Sequence, residues 1–213
     1  MKKHIIILLI IISVAAHHSD CISQWTTVSI PFTGFSQMVF GSSFINAETG
    51  FVGVNTFMNG NQYRPIYIFQ TTNKGLNWVS RGNIGTSAYS FTQPSIFFIN
   101  ENTGFVTTIQ SNGNYKDLVI YKTINGCNTY TTNIIQNVSL SNSMPRSEII
   151  FTNENTGFIT TTYHIYKTTN AGINWYISTN NNPNDPYYIK RLAISKSTSN
   201  FIYAGGGRYD LIN

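Results

Sequence analysis

The residues best suited to charged chemistry in this chain are four arginines, Arg64, Arg146, Arg191 and Arg208, and four acids, Asp117, Glu148, Asp185 and Asp210. Clustered arginines would hold a carboxylate or phosphate in a bidentate fork, and paired acids would act as general acid and base. The spacing supplies no paired carboxylates. His164 is the only histidine beyond the N-terminal region and has no acid-rich loop beside it, so no metal site is expected. No Ser/His/Asp set or Gly-x-Ser-x-Gly elbow is present, and Gly205-Gly206-Gly207 follows a strand without the helix that a phosphate loop requires. The sequence therefore predicts no catalytic, cofactor-binding or metal-ligating residue and no cofactor. What remains is contact chemistry. Tyr63 with Arg64, Tyr115 with Lys116, Arg146, His164, and Tyr187 and Tyr188 with Arg191 combine side chains enriched where proteins meet partners, and form the expected surface for a protein or glycan. Asn137-Val138-Ser139 matches a glycosylation triplet, which an Asn-rich chain produces by chance.

The elements that carry these residues recur. Phe44-Ile45-Asn46-Ala47-Glu48-Thr49-Gly50-Phe51 returns as Phe98 to Phe105 and as Phe151 to Phe158, with glycines 54 and 53 residues apart. A second segment follows each: Thr71-Thr72-Asn73-Lys74-Gly75-Leu76-Asn77-Trp78, Thr123 to Tyr130, and Thr168 to Trp175. A period near fifty with aromatic and glycine-bearing turns predicts an all-β propeller built from four-stranded antiparallel blades. In the first unit the strands are expected at Gln37–Ile45, Phe51–Asn55, Pro65–Thr71 and Asn77–Arg81. Gly50, Gly104 and Gly157 are read as turn residues suited to positive φ, Asn73, Asn125 and Asn170 as satisfying turn amides, and Gly75 and Gly172 as left-handed. Glu48, Glu101 and Glu154 beside the first turn are expected to be solvated caps. Trp78, Trp175, Tyr130 and the recurring phenylalanines, including Phe44, should be core between blades. Cys127 in place of glycine predicts a strained or looser middle hairpin.

The second segment resembles the Asp-box, or bacterial neuraminidase repeat, Ser-x-Asp-x-Gly-x-Thr-Trp. Thr71 and Thr168 stand for Ser, Asn73 and Asn170 for Asp, Asn77 and Asn174 for Thr, while Gly75, Gly172, Trp78 and Trp175 are kept. With the Thr-Gly-Phe turn, the units look most like the propellers of the photosystem II assembly and stability factor-like family, over about 24–207. The resemblance implies a propeller scaffold. A sialidase-like site would further imply three arginines around a carboxylate and a Tyr nucleophile backed by an acid. Three functions are compatible with this: a non-catalytic module binding a protein or glycan, a fragment of an Asp-box glycosidase whose catalytic residues lie in other blades, and an assembly factor for a membrane complex.

Lys2 and Lys3 ahead of Ile5–Ile12 and small residues read as a signal peptide over 1–16, followed by a tail over 17–23 and a repeat domain over 24–213. The apolar run is too short to cross a bilayer, so no transmembrane span is expected after cleavage, and the destination is secreted or cell-envelope. His18-Ser19-Asp20 differs from the small apolar residues of a lipoprotein box, which favours a free Cys21 over a lipid anchor. Within the domain, 24–30 reads as an orphan outer strand, 37–82, 91–133 and 146–179 as blades, and 188–213 as a partial blade. An open arc is expected over a four-bladed ring, with blade edges prone to self-association. Only 10% of residues are charged against 41% hydrophobic, which excludes a disordered chain. The small basic excess has no cluster, which argues against nucleic acid. Variable loops are expected near 56–64, 83–93, 109–117, 131–146 and 178–187.

Overall fold

Runs such as Ile66-Tyr67-Ile68-Phe69 and Leu118-Val119-Ile120-Tyr121 join β-branched and aromatic residues between Asn/Gly turns, a composition that fits a pleated, buried surface. A computed structural model of the chain describes residues 29–31, 37–56, 63–88, 94–112, 115–138, 147–180, 187–194 and 202–208. The signal peptide, Cys21, Arg146, Asp185 and Asp210 lie outside them. Fourteen strands result: β1 (Gln37–Phe44), β2 (Gly50–Thr56), β3 (Tyr63–Thr71), β4 (Val79–Ala88), β5 (Ser95–Phe98), β6 (Gly104–Asn112), β7 (Tyr115–Thr123), β8 (Thr131–Ile135), β9 (Glu148–Phe151), β10 (Gly157–Thr160), β11 (His164–Thr168), β12 (Tyr176–Asn180), β13 (Tyr187–Ile194) and β14 (Ile202–Arg208). No helix occurs among the described residues, and the class is all-β as expected.

Three sheets are four-stranded antiparallel meanders, β1-β2-β3-β4, β5-β6-β7-β8 and β9-β10-β11-β12; β13 and β14 form a fourth, two-stranded sheet. The strands run longer than their apolar runs. Residues 83–88 extend β4, 109–112 extend β6, 131–135 form β8, 63–64 open β3 and 178–180 close β12, so all five expected loops are partly strand. Their polar residues stay in strand because the ladder, not side-chain burial, holds them. Gly82, with φ +97°, takes the extra residue of a bulge opposite Ile68 in β4.

In the second and third sheets the first strands are buried and the outermost strands are not: β9 is almost wholly buried, while β8 is largely exposed. Burial on both faces requires sheets stacked side by side. One cluster joins the first sheet's Phe51, Ile66, Ile68 and Ile84 to the second sheet's Ile96, Phe98, Val106 and Cys127. Another joins Phe105, Ile109, Leu118 and Ile120 to the third sheet's Ile149, Phe151, Ile159 and Tyr166. At each junction a ring at the start of a second strand stacks on one at the end of the next sheet's first strand. Phe51 lies 3.6 Å from Phe98 at 6°, and Phe105 lies 4.3 Å from Phe151 at 19°. Serine hydroxyls add direct links, Ser43 Oγ accepting the Phe98 N–H at 2.8 Å and Ser95 Oγ the Ile149 N–H at 3.2 Å. The first strands touch in succession, β1 with β5, β5 with β9 and β9 with β13.

Phe44 departs from expectation. It is 52% exposed, whereas Phe98 and Phe151 are 3% and 5% exposed, because among the described residues it has no stacked ring from a neighbouring sheet as they do. Trp175 packs into the junction between the second and third sheets, while Trp78 lies on the outer face of the first with Val52, Val54 and Phe69. Ile30, at the end of the segment read as an orphan strand, packs on that same face; residues 24–28 lie outside the described set.

Candidate functional site

The two recurring turns of each sheet share one end of the array and are tied together there. Asn46 Oδ1 accepts the N–H groups of Glu48 and Thr49 at 2.8 and 2.7 Å, and Asn100 and Asn153 do the same in their own turns. In the second turn Thr71 Oγ1 accepts the Gly75 N–H at 2.9 Å, and Asn73 Oδ1 accepts the Asn77 N–H at 2.9 Å. The backbone N–H groups of Lys74, Gly126 and Ala171 donate to the carbonyls of Glu48, Asn102 and Asn155, joining the first turn to the second in each sheet. This end is committed to structure. Glu48 pairs with Lys74 at 3.2 Å on the exposed surface, and Glu101 and Glu154 are exposed.

The reading of Gly50, Gly104 and Gly157 as positive-φ turn residues is corrected. Among the described residues the glycines at positive φ are Gly75, Gly82, Gly126 and Gly172. Gly50, Gly104 and Gly157 open β2, β6 and β10 directly opposite Phe44, Phe98 and Phe151. Each ring lies over its glycine, so that a Cβ there would fall 2.3–2.8 Å from ring carbons. Glycine is required for close approach, not for its dihedral range.

The middle hairpin is strained but not loosened. Cys127 takes φ +74° where Gly75 and Gly172 take +85° and +78°, and its N–H still reaches Thr123 Oγ1 at 3.0 Å. The thiol packs in the cluster that joins the first and second sheets, with Tyr130 against it. At Gly172, by contrast, a Cβ would lie 2.7 Å from Phe105. Burial pushes the Cys127 thiol up, with Tyr130 and Arg81 opposing, and burial also raises the Tyr130 hydroxyl, which faces that thiol.

The opposite end carries the connections that do not recur. Tyr63, Tyr115 and His164 each open the third strand of their sheet, and Tyr187 and Tyr188 open β13, so the strand register brings these five positions to that end. Tyr115 is 62% exposed and Lys116 half-buried. Arg64 is the second residue of β3, and Arg191 lies mid-strand in β13, opposite Gly205 beside a bulge, away from the strand's opening. Arg146 lies outside the described residues. The His164 N–H donates to Thr161 Oγ1 at 3.3 Å, its carbonyl accepts the Thr161 N–H at 2.9 Å, and its ring sits 5.9 Å from Tyr166. Its Nδ1 is buried without a hydrogen-bond partner, and burial lowers its pKa.

Asp117, one of the four candidate acids, is buried, and its Oδ1 accepts the Asn137 N–H at 3.0 Å while Lys116 O accepts the Val138 N–H at 2.8 Å. It therefore anchors the segment that seats Val138 in the second junction. Arg81, read from sequence as an outer-strand residue, donates through Nε at 2.6 Å and through Nη2 to Gln70 Oε1. Among the described residues no group of three or more His, Cys, Asp and Glu side chains converges on one point, and no helix is long and apolar enough to cross a membrane.

Sequence reasoning missed a groove of about 410 Å³ between the second sheet's outer strands and the third sheet's hairpin, lined by Ile120, Lys122, Thr131, Asn133 and Ile173. Lys122 Nζ, 5.7 Å from the Phe105 ring centre, donates to Ala171 O at 2.7 Å, and Asn133 Nδ2 to Ile173 O at 2.9 Å. Both side chains bridge sheets. Burial lowers the Lys122 pKa.

Comparison with protein-family models and with curated proteins finds no match for this chain.

Proposed function

We propose that the chain is an exported, non-catalytic β-propeller module that binds a protein or glycan through the end opposite its recurring turns. The observation that carries this reading is the division of labour between the two ends. One spends its asparagine and threonine side chains on satisfying its own backbone. The other gathers tyrosine positions at strand openings on rigid sheets, with Tyr115 extended into solvent. A rigid scaffold with non-recurring connections at one end is the usual way a fold presents a recognition surface. The successive contacts of first strands support a radial array, and the leader supports export.

The test is a glycan array and a defined-partner pull-down with three forms of the chain. Tyr115→Ala combined with Tyr187→Ala and Tyr188→Ala should abolish capture seen with wild type, while Glu48→Ala with Lys74→Ala at the turn end should preserve it. Capture lost only in the turn-end variant refutes the assignment.

A further inference from the structure

The groove between the second and third sheets holds a cation that the fold does not require. The same register position is taken by Gln70 opposite Phe51, by Lys122 opposite Phe105 and by Lys167 opposite Phe158. The first sheet fills it with a neutral amide, so the stacking of sheets does not demand an amine there. Lys122 is half-buried, with Nζ 5.7 Å from the Phe105 ring centre and one N–H donated to Ala171 O at 2.7 Å. An ammonium carries three donors, which leaves two for the groove. Burial lowers the Lys122 pKa, the mark of a charge that its surroundings do not fully compensate.

The walls define what can meet that charge. Ile120, 1% exposed, forms the floor, and Ile124 and Ile173, 68% and 65% exposed, stand at the rim. Threonines and Asn133 complete the lining, and Asn133 Nδ2 is spent on Ile173 O at 2.9 Å. Among the described residues no carboxylate and no second cation lines the groove. It therefore complements an anion of single charge better than a phosphate, whose oxygens call for several charged donors. No aromatic ring lines it either, so a sugar would find no stacking surface. Its volume of about 410 Å³ falls in the ~300–1,000 Å³ range of small-molecule sites.

We propose that this groove is a binding site for a free medium-chain aliphatic carboxylate, whose head group accepts from Lys122 Nζ and whose chain lies along Ile120, Ile124 and Ile173. Charge complementarity selects the head group, because the groove presents one amine and no acid to neutralise it. A pair formed on a half-buried amine is screened less than one on the open surface. The tail removes exposed isoleucine from water, which selects an aliphatic chain. The groove lies beside the recurring turns, at the other end of β7 from Tyr115, so this inference is independent of the partner-binding reading.

Methyl NMR of the full chain with labelled isoleucine tests it, with octanoate as the probe. Octanoate should shift the Ile124 and Ile173 methyl signals saturably, and octanol, the same tail without the charge, should bind at least ~10-fold more weakly, the worth of one charge-assisted hydrogen bond. Lys122→Met should weaken octanoate by a similar factor and leave octanol unchanged. Ile173→Asp, at an exposed position that tolerates a charge, should abolish octanoate binding and serves if Lys122→Met disturbs the fold. Affinity should hold at neutral pH and fall as pH rises through the Lys122 pKa, at a value below its usual 10.5, because only the ammonium pairs with the head group. The proposal is overturned if octanoate gives no saturable shift at millimolar concentration, if octanol binds as tightly, or if octanoate binding survives either substitution in a folded chain. Tighter binding of N-acetyl-leucyl-isoleucine than of octanoate would also overturn it, by assigning the groove to a peptide terminus.

Discussion

Substituting alanine at Gly50, Gly104 and Gly157 is the same chemical change at three equivalent positions, and the structure assigns it different costs. At Gly104 the new Cβ would lie 2.3 Å from a Phe98 ring carbon, well inside the ~3.5–4.0 Å of an ordinary carbon contact, so the ring must move by over ~1 Å. Phe98 is 3% exposed and stacked 3.6 Å from Phe51, so it cannot move without disturbing the first junction. Overpacking of this kind costs about 1–3 kcal/mol. Set against it is a gain of about 0.4–1 kcal/mol from restricting the unfolded chain at a position with ordinary φ. Gly104→Ala should therefore lose about 1–2 kcal/mol, or about 2–8 °C in Tm for a chain of this size. Gly157→Ala, beneath the 5% exposed Phe151, should behave alike. Gly50→Ala meets Phe44 at 2.6 Å, but that ring is half in solvent and can swing away, leaving a change within about 0.5 kcal/mol of zero. Urea denaturation followed by far-UV circular dichroism reads all three. Equal losses at Gly50 and Gly104 would refute the claim that neighbouring sheets, rather than the local turn, impose the glycine.

Three further outcomes follow from the hairpins and from His164. Cys127→Gly and Tyr130→Trp should couple by about 0.5–3 kcal/mol in a double-mutant cycle, because the thiol and the tyrosine are neighbours in one cluster. Additive effects would contradict that pairing. Thr168→Val keeps the shape of the side chain but strips the acceptor from the buried Gly172 N–H, 3.0 Å away, and should cost about 1–3 kcal/mol in chemical denaturation. An unchanged midpoint would show that the hydroxyl is dispensable. Burial lowers the His164 pKa below its usual 6.5, so the unfolded chain takes up its proton more readily. The associated stability is full above pH 6.5 and is lost as pH falls through that value toward the folded pKa; an NMR titration of the ring should show a midpoint under 6.5, and His164→Asn should flatten the slope. A midpoint above 6.5 would contradict the buried Nδ1.

Features held by near neighbours in sequence were legible before the structure. Asn46 reaches amides two and three residues on, and Thr71 reaches one four residues on, so both turns could be read from spacing alone. Features made by distant residues were not. Gly50 was misread as a dihedral requirement because the ring that demands it comes from the opposite strand. Phe44 recurs in register with two core residues, yet sequence register does not say whether a neighbouring sheet is present to cover it. Asp117 read as a free acid because its acceptor role depends on Asn137, twenty residues later. The groove beside Lys122 was invisible for the same reason, being formed by two sheets. Of the candidate surface, the tyrosine positions at strand openings follow from the strand pattern, whereas the mid-strand place of Arg191 depends on where β13 begins and bulges.

The account rests on sheets sealed by paired phenylalanine rings, and nuclear Overhauser contacts in a chain carrying labelled phenylalanine test it most directly. Cross-peaks should join the rings of Phe51 and Phe98, and those of Phe105 and Phe151, while Phe44 meets the edge of Trp78 and neither of those pairs. Absence of the two phenylalanine pairs in a folded chain would contradict side-by-side stacking and, with it, the proposed recognition surface.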